Sequence, residues 1–332
     1  MKIFSWPVCG MVLAVSATLA AQQGKLSGPV AGFVFDNTGL ALRPIQGVPG
    51  ASLLGDPISF GIDVAAVYVA PRQDSAFVVG VDQSIHLFLL NGGTPAEISL
   101  GGLTGAPDRV IFSPSGTAVA LVASGSPGSA RVLTGLPNAA TLAGSVKVES
   151  QTLQGMTGAA HSFRSFSPAM ALSDDGTYLL TVMQGSVRLL SVQGQNRSLM
   201  PAQAGALVAF AAGGHDAAVM DSLSGLTLIR DASGAAGTQV LSAPDEGLAG
   251  PVGVAFSQDE QTVYVASATA KSVAAFNLAA ATRTAIGCAC TPYTLVPMGN
   301  LFRLTELTAG PLWLLDGTAA TPRTVFVPAR GE

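Results

Sequence analysis

Charge, histidine and cysteine are all scarce in this chain of 332 residues. Charged residues make up 11%, well below the roughly one quarter typical of soluble domains. The formal net charge is −4 and the basic residues stand singly along the chain. That pattern gives no electrostatic footprint for nucleic acid and no polybasic patch for an anionic membrane surface. There are three histidines, His86, His161 and His215, and three cysteines. Neither the Cys-x-x-Cys spacing of redox motifs and zinc knuckles nor the ligand spacing of an EF-hand occurs. A Gly-x-Ser-x-Gly nucleophile elbow is missing too. Beyond the N-terminal segment, no stretch of twelve residues carries an apolar stripe at helical period. Lys and Glu are few while Val, Thr, Ser and Gly are plentiful, a balance that favours strands and turns.

The N-terminus has the layout of a secretory signal. Lys2 supplies positive charge, Val8 to Ala20 is apolar, and Thr18-Leu19-Ala20 ends it in small residues. A short apolar run of this kind is too short for a comfortable membrane span. The expectation is a signal peptide over residues 1–20, a polar lead-in over 21–31 and one domain over 32–332. A retained N-terminal anchor is the alternative. Cys9 precedes the apolar run and does not suit lipid attachment. On this layout the mature protein is secreted, bacterial, periplasmic or extracellular, with no transmembrane segment, and monomeric.

What the chain does have is a repeated phrase. Phe112-Ser113-Pro114-Ser115-Gly116-Thr117 is followed by apolar residues, as are Leu172-Ser173-Asp174-Asp175-Gly176-Thr177 and Phe256-Ser257-Gln258-Asp259-Glu260-Gln261. Each copy reads as the end of one strand, a polar turn and the start of another. Equivalent strand-ending positions are Val69, Phe112, Leu172, Phe210, Phe256 and Leu307. Their steps of roughly forty to sixty residues suit four-stranded antiparallel blades, so the expected fold is an all-β propeller. Residues 251–287 show one module in full, with strands expected at Val252–Phe256, Thr262–Ala266, Ser272–Leu278 and Thr282–Ile286.

The two ends look complementary. Gly32–Asp36 and Leu40–Ile45 form a hairpin around Asn37-Thr38-Gly39, and Leu301–Leu304, Pro311–Leu315 and Arg323–Val327 resemble the inner strands of a blade. Pairing the two would remove open sheet edges. Five internal modules plus one shared blade give six blades. Seven is the alternative, should residues 145–165 hold a degenerate blade and not a long loop.

The module at 251–287 resembles a repeat of the YVTN-type β-propellers. Pro251-Val252-Gly253-Val254-Ala255-Phe256-Ser257, Tyr264-Val265-Ala266-Ser267 and Lys271-Ser272-Val273-Ala274-Ala275-Phe276-Asn277-Leu278 carry the likeness. Tyr264-Val265-Ala266-Ser267 stands where the family's name-giving tetrapeptide would be, a partial match. The resemblance implies a secreted bacterial propeller from a family that ranges from surface proteins to lactonase-like enzymes.

Candidate functional residues follow from the loops. Connections between blades gather at one mouth of a propeller channel, and such loops carry binding groups. Asp56, Asp108, Arg109, His161, Arg164 and Asp245 fall on them. They could form a polar pocket, or be solvated loop charge. Cys288-Ala289-Cys290 holds the remaining cysteines. In an oxidising compartment these form a disulfide, a reduced thiol pair being the alternative. His86 reads as an outward-facing strand residue, while Asp216 beside His215 could couple to it as an acid–base pair. Asp36-Asn37-Thr38-Gly39 and Ser173-Asp174-Asp175-Gly176 read as turns and not calcium loops.

With neither a nucleophile nor a metal-ligand cluster in sight, the expected function is a non-catalytic binding or scaffold protein that holds a protein or cell-envelope partner, with no cofactor and no metal. The alternative is a lactonase-type propeller hydrolase with a divalent ion bound by Asp108, His161 and Asp245.

Overall fold

The computed structural model describes residues 28–90, 94–101, 103, 105–123, 128–148, 170–244 and 247–329. These form seven antiparallel sheets, each built from consecutive strands. The first has three strands, β1 (Val30–Asp36), β2 (Ala41–Val48) and β3 (Ala51–Leu54). The other six have four. They are β4–β7 (Val64–Val69, Ser75–Gly80, Ile85–Leu89, Ala96–Ile98), β8–β11 (Arg109–Phe112, Ala118–Ala123, Gly128–Thr134, Thr141–Val148) and β12–β15 (Met170–Leu172, Tyr178–Met183, Ser186–Ser191, Asn196–Pro201). Then follow β16–β19 (Leu207–Phe210, Ala217–Asp221, Gly225–Arg230, Gly237–Ser242), β20–β23 (Pro251–Phe256, Thr262–Ser267, Ser272–Asn277, Thr282–Gly287) and β24–β27 (Val296–Met298, Leu301–Arg303, Leu312–Asp316, Arg323–Val327). The protein is a seven-bladed β-propeller.

The period-2 alternation of strands explains how the blades stack. In β5, Ala76 and Val78 pack toward the first blade, while Phe77 between them packs toward the third. In β21, Val263 and Val265 face the fifth blade, and Tyr264 and Ala266 face the seventh. Both faces of these second strands are buried, so they read as continuous apolar runs. Fourth strands such as β19 are mostly exposed and polar. Seven hydrophobic clusters fill the seven spaces between neighbouring blades, the last joining Val34 and Ile45 of the first blade to Leu301, Leu312, Leu314 and Val327 of the seventh.

Two expectations are corrected. Six blades become seven, because among the described residues the two ends form separate sheets. The N-terminal strands pair with one another, and Leu301–Val327 belong to a sheet completed by β24, an inner strand the sequence reading had overlooked in favour of Leu307. Among the described residues, first and last blades meet face to face through side chains, not through strand pairing. The long step between Phe112 and Leu172 holds no extra blade among the described residues. Residues Thr141–Val148 are the outer strand of the third blade, and 149–169 lie outside the described residues. The expected signal segment 1–20 lies outside them too. Of the 21–31 lead-in, Val30 and Ala31 already belong to β1.

The first blade lacks an innermost strand among the described residues. Strand β1 sits beside the inner strand of the next blade, as second strands do elsewhere. At its middle Phe33 donates its N–H to Gln73 Oε1 at 2.7 Å. Past it, Gly299 N–H donates to Pro71 carbonyl oxygen at 2.5 Å. The first turns of the seventh and second blades thus meet directly across the first.

Candidate functional site

Alternating strand direction divides the loops between two mouths of the ring. Turns joining first to second strands lie on one face. Turns joining second to third strands share the other face with the blade-to-blade connections. Hydrogen bonds show this: Val81 donates its N–H to the Asp63 carbonyl oxygen at 2.9 Å, and Gln203 donates its N–H to Asp221 Oδ2 at 3.3 Å.

The turn mouth is a polar belt running through three blades. Asp174 Oδ1 accepts the Ser115 N–H at 2.8 Å, and its Oδ2 accepts the Gly213 N–H at 2.8 Å. Asp175 Oδ2 lies 3.2 Å from His215 Nε2, and Ser233 Oγ lies 2.8 Å from His215 Nδ1. Tyr178 meets the His215 ring edge-on, with centroids 4.9 Å apart. His215 does not pair with its sequence neighbour Asp216. Asp216 binds Arg230 and the Asp231 N–H instead. The turns themselves repeat one device: Gln73, Gly116, Gly176 and Glu260 all have positive φ and donate N–H to the carbonyl oxygen three residues earlier. Glycine suits that conformation, which is why the sequence phrase carries it in two copies.

Asp175, Asp36 and Asp259, each at a turn, are held acidic. At Asp175 burial pushes the pKa up, but hydrogen bonds from Ser173, Thr177 and His215 outweigh it and leave the carboxyl below its ordinary 3.8. Asp36 is lowered in the same way, burial opposing and Gly39, Arg43 and Thr38 prevailing. At Asp259 the Ser257 hydroxyl is the chief cause of the lowering. Glu260 moves the other way: burial and then Asp174, Asp216 and Asp259 raise it above 4.5. A depressed carboxyl stabilises the fold above its unfolded pKa, and that contribution is lost as pH falls through the folded value. Stability is therefore expected to decline as pH drops below about 3.8, by at most about 1 kcal/mol per pair because these groups are partly exposed. Acid titration of the melting midpoint checks it. In Asp175→Asn the decline should be smaller, and an unchanged acid limb would show the pair contributes nothing.

The connection mouth holds three of the sequence candidates, Asp56, Asp108 and Arg109. Asp56 is exposed on the connection leading to β4, and Asp108 is exposed at the start of β8. Arg109, half-buried at the first position of β8, is the inner-strand cation. Tyr68, on the inner strand of the preceding blade, feels both: burial raises its pKa, Arg109 lowers it and Asp108 raises it further. Burial also pulls the Arg109 guanidinium below its usual range, with Tyr68 opposing. Asp108, Arg109 and Tyr68 thus lie together, and among the described residues no carboxylate forms an ion pair with Arg109. The sequence reading missed Tyr68, since nothing in a strand of Val and Ala marks its tyrosine as neighbouring an arginine about forty residues on. His161, Arg164 and Asp245 lie outside the described residues. Among the described residues no group of His, Cys, Asp or Glu is arranged to hold a metal ion. An open groove of about 430 Å³ between the first two blades is lined by Leu40, Ile58, Phe60, Ile62, Asp63 and Val81.

His86 on β6 is half-buried on the strand face that also carries Phe88, their ring centroids 6.2 Å apart. Its Nε2 is 2.7 Å from Ser84 Oγ and its Nδ1 is 2.6 Å from Glu97 Oε1. This Ser–His–Glu sequence has the spacing of a nucleophile relay, but Ser84 donates its hydrogen to Asp82 at 2.5 Å. The Ser84 hydroxyl is thus held by the Asp82 carboxylate of its own turn. The site is part of a turn.

The class of protein is fixed by the fold alone. The structure is similar to that of a functionally unknown protein from Desulfotomaculum acetoxidans, with a TM-score of 0.53 at 13% identity over 90% of this chain and 99% of that one. It is also similar to a candidate 6-phosphogluconolactonase from Bacteroides fragilis, with a TM-score of 0.52 at 13% identity over 90% of this chain and 94% of the other. At such identity the likeness extends to the propeller fold and no further. No protein-family model and no curated protein matches the sequence, so the likeness to YVTN repeats rests on residues 251–287 themselves.

Proposed function

We propose that this propeller is a secreted, monomeric, non-catalytic binding or scaffold protein of YVTN-like kind, whose connection mouth holds a small anionic ligand through Arg109. The observation that carries this reading is the Arg109 guanidinium, partly desolvated on an inner strand beside Tyr68, with no carboxylate ion-paired to it among the described residues. An arginine keeps its charge when buried and presents a planar set of donors suited to carboxylate or phosphate. Tyr68 adds a hydroxyl. Exposed Leu53 and Phe326 on the neighbouring outer strands β3 and β27 support a protein or envelope partner at the rim.

The test uses inorganic phosphate as the probe. At ten times its Kd, phosphate is expected to stabilise the protein by about 1.4 kcal/mol over chloride at matched ionic strength. That gain should vanish in Arg109→Gln. Equal midpoints of the wild-type protein in the two salts would remove the Arg109 reading. The rival reading is a lactonase-type hydrolase, with a divalent ion held by Asp108, His161 and Asp245. Its support is the propeller likeness to a candidate 6-phosphogluconolactonase. A stoichiometric metal, together with lactone hydrolysis abolished by chelation, would put it in place of the binding reading.

A further inference from the structure

Cys288 and Cys290 are bonded to each other, with their Cα atoms 5.0 Å apart and a single residue between them. They sit on the connection from β23 to β24, at the mouth that also carries Arg109. We propose that this pair is a thiol–disulfide exchange site for small thiols and dithiols, and not a structural staple.

Three observations carry the inference. First, a disulfide stabilises a fold mainly by restricting the unfolded chain, and the effect grows with the loop it closes. A loop with one intervening residue is nearly the least such a bond can restrict. Second, the chain on either side is already fixed. Cys288 donates its N–H to the Lys271 carbonyl oxygen at 2.9 Å, and Tyr293 and Thr294 donate theirs to the Leu304 carbonyl oxygen at 2.8 and 3.2 Å. Third, the two sulfurs differ in access. Cys288 is 8% exposed, packed with Ile286, Leu295 and Leu304, whereas Cys290 is half-buried and follows the exposed Ala289. So small a ring constrains the bond, and strained or exposed disulfides are the labile ones.

The exchange has a direction. An incoming thiolate attacks Cys290 Sγ and forms a new S–S bond there. The Cys288–Cys290 bond breaks, and its electron pair leaves on Cys288 as a thiolate. A second thiolate, from the same dithiol or from another small thiol, then attacks the sulfur of the first. Cys290 departs as a thiolate, and the two attacking sulfurs leave joined as a disulfide. Two electrons have passed from two thiols to the protein, and the protons of the incoming thiols are released to solvent or taken up by the protein thiolates.

The test uses the full chain in a graded series of glutathione and glutathione disulfide, quenched, alkylated and read by intact mass. The expected result is a midpoint of reduction inside that series, with a melting midpoint that barely moves between the oxidised and reduced forms. A bond that stays oxidised throughout overturns the proposal, as do a large loss of stability on reduction and two free thiols in protein isolated from an oxidising compartment. Single variants test the direction. Treated with glutathione disulfide, Cys288→Ala should form a mixed disulfide at Cys290 within minutes, while Cys290→Ala should lose most of that adduct over the same time. Equal labelling of the two variants overturns attack at Cys290.

Discussion

A chain lacking residues 28–54 is expected to lose its cooperative melting transition, not to melt a few degrees lower. Among the described residues the first blade has no sheet hydrogen bonds to its neighbours, so its removal looks mild on that count. Its side chains say otherwise. Val34 and Ile45 complete the cluster that buries Met298, Leu301, Leu312, Leu314 and Val327 of the seventh blade. Phe35 and Leu42 complete the one that buries Val67, Val78 and Phe88 of the second. Deletion uncovers both faces together. Each fully buried side chain of this size contributes about 1.5–3 kcal/mol, and a domain's whole stability is about 5–15 kcal/mol. Losing half a dozen such burials, about 9–18 kcal/mol, is as large as that whole margin. Calorimetry or circular dichroism checks it. A truncated chain that melts with an unchanged midpoint would show that the ring does not need its first blade.

The same blade shows where the sequence was legible and where it was not. Module 251–287 was read to within a residue at nearly every strand boundary, because its apolar runs alternate with turns rich in Ser, Asp and Gly. Blade count depends on something the sequence does not display: which partner a terminal strand chooses. Phe33 and Val34 have an apolar pattern that suits either a shared blade or one of their own. The difference lies in Gln73 capping the Phe33 N–H and in Met298, whose methyl group comes so close to Gly32 that a Cβ there would be 2.7 Å away. Β24 was missed because Val296-Pro297-Met298 is three residues long, too short for any periodicity. At the candidate site, turn chemistry was readable from Asp and Gly alone. Pairing across blades was not. Asp174 reaches Ser115 and Gly213, and His215 reaches Asp175 in place of its sequence neighbour Asp216. Such contacts are set by the angle between adjacent sheets, and that angle emerges when the whole ring packs.

Replacing Phe77 with alanine is expected to cost about 3–5 kcal/mol, the range for truncating a buried phenylalanine. Phe77 is completely buried in β5, between the second and third blades. It packs with Leu87, Val119, Leu121 and Leu133, and its ring lies 5.8 Å from that of Phe112 at 51°. Strands on both sides are held by complete hydrogen-bond ladders, so the cavity has little freedom to collapse. At about 2–4 °C per kcal/mol for a chain approaching this size, the melting midpoint should fall by roughly 6–20 °C. Phe112 is half-buried on an inner strand, so Phe112→Ala should cost less. Because the two rings touch, the double variant should cost less than the sum of the single ones, by about 0.5–1.5 kcal/mol. The denaturant slope should stay that of the wild-type protein, since a cavity leaves the surface exposed on unfolding almost unchanged. A Phe77→Ala protein within 1 kcal/mol of wild type would mean that the second and third blades do not meet through this ring. Strict additivity of the two substitutions would mean that Phe77 and Phe112 do not pack against each other.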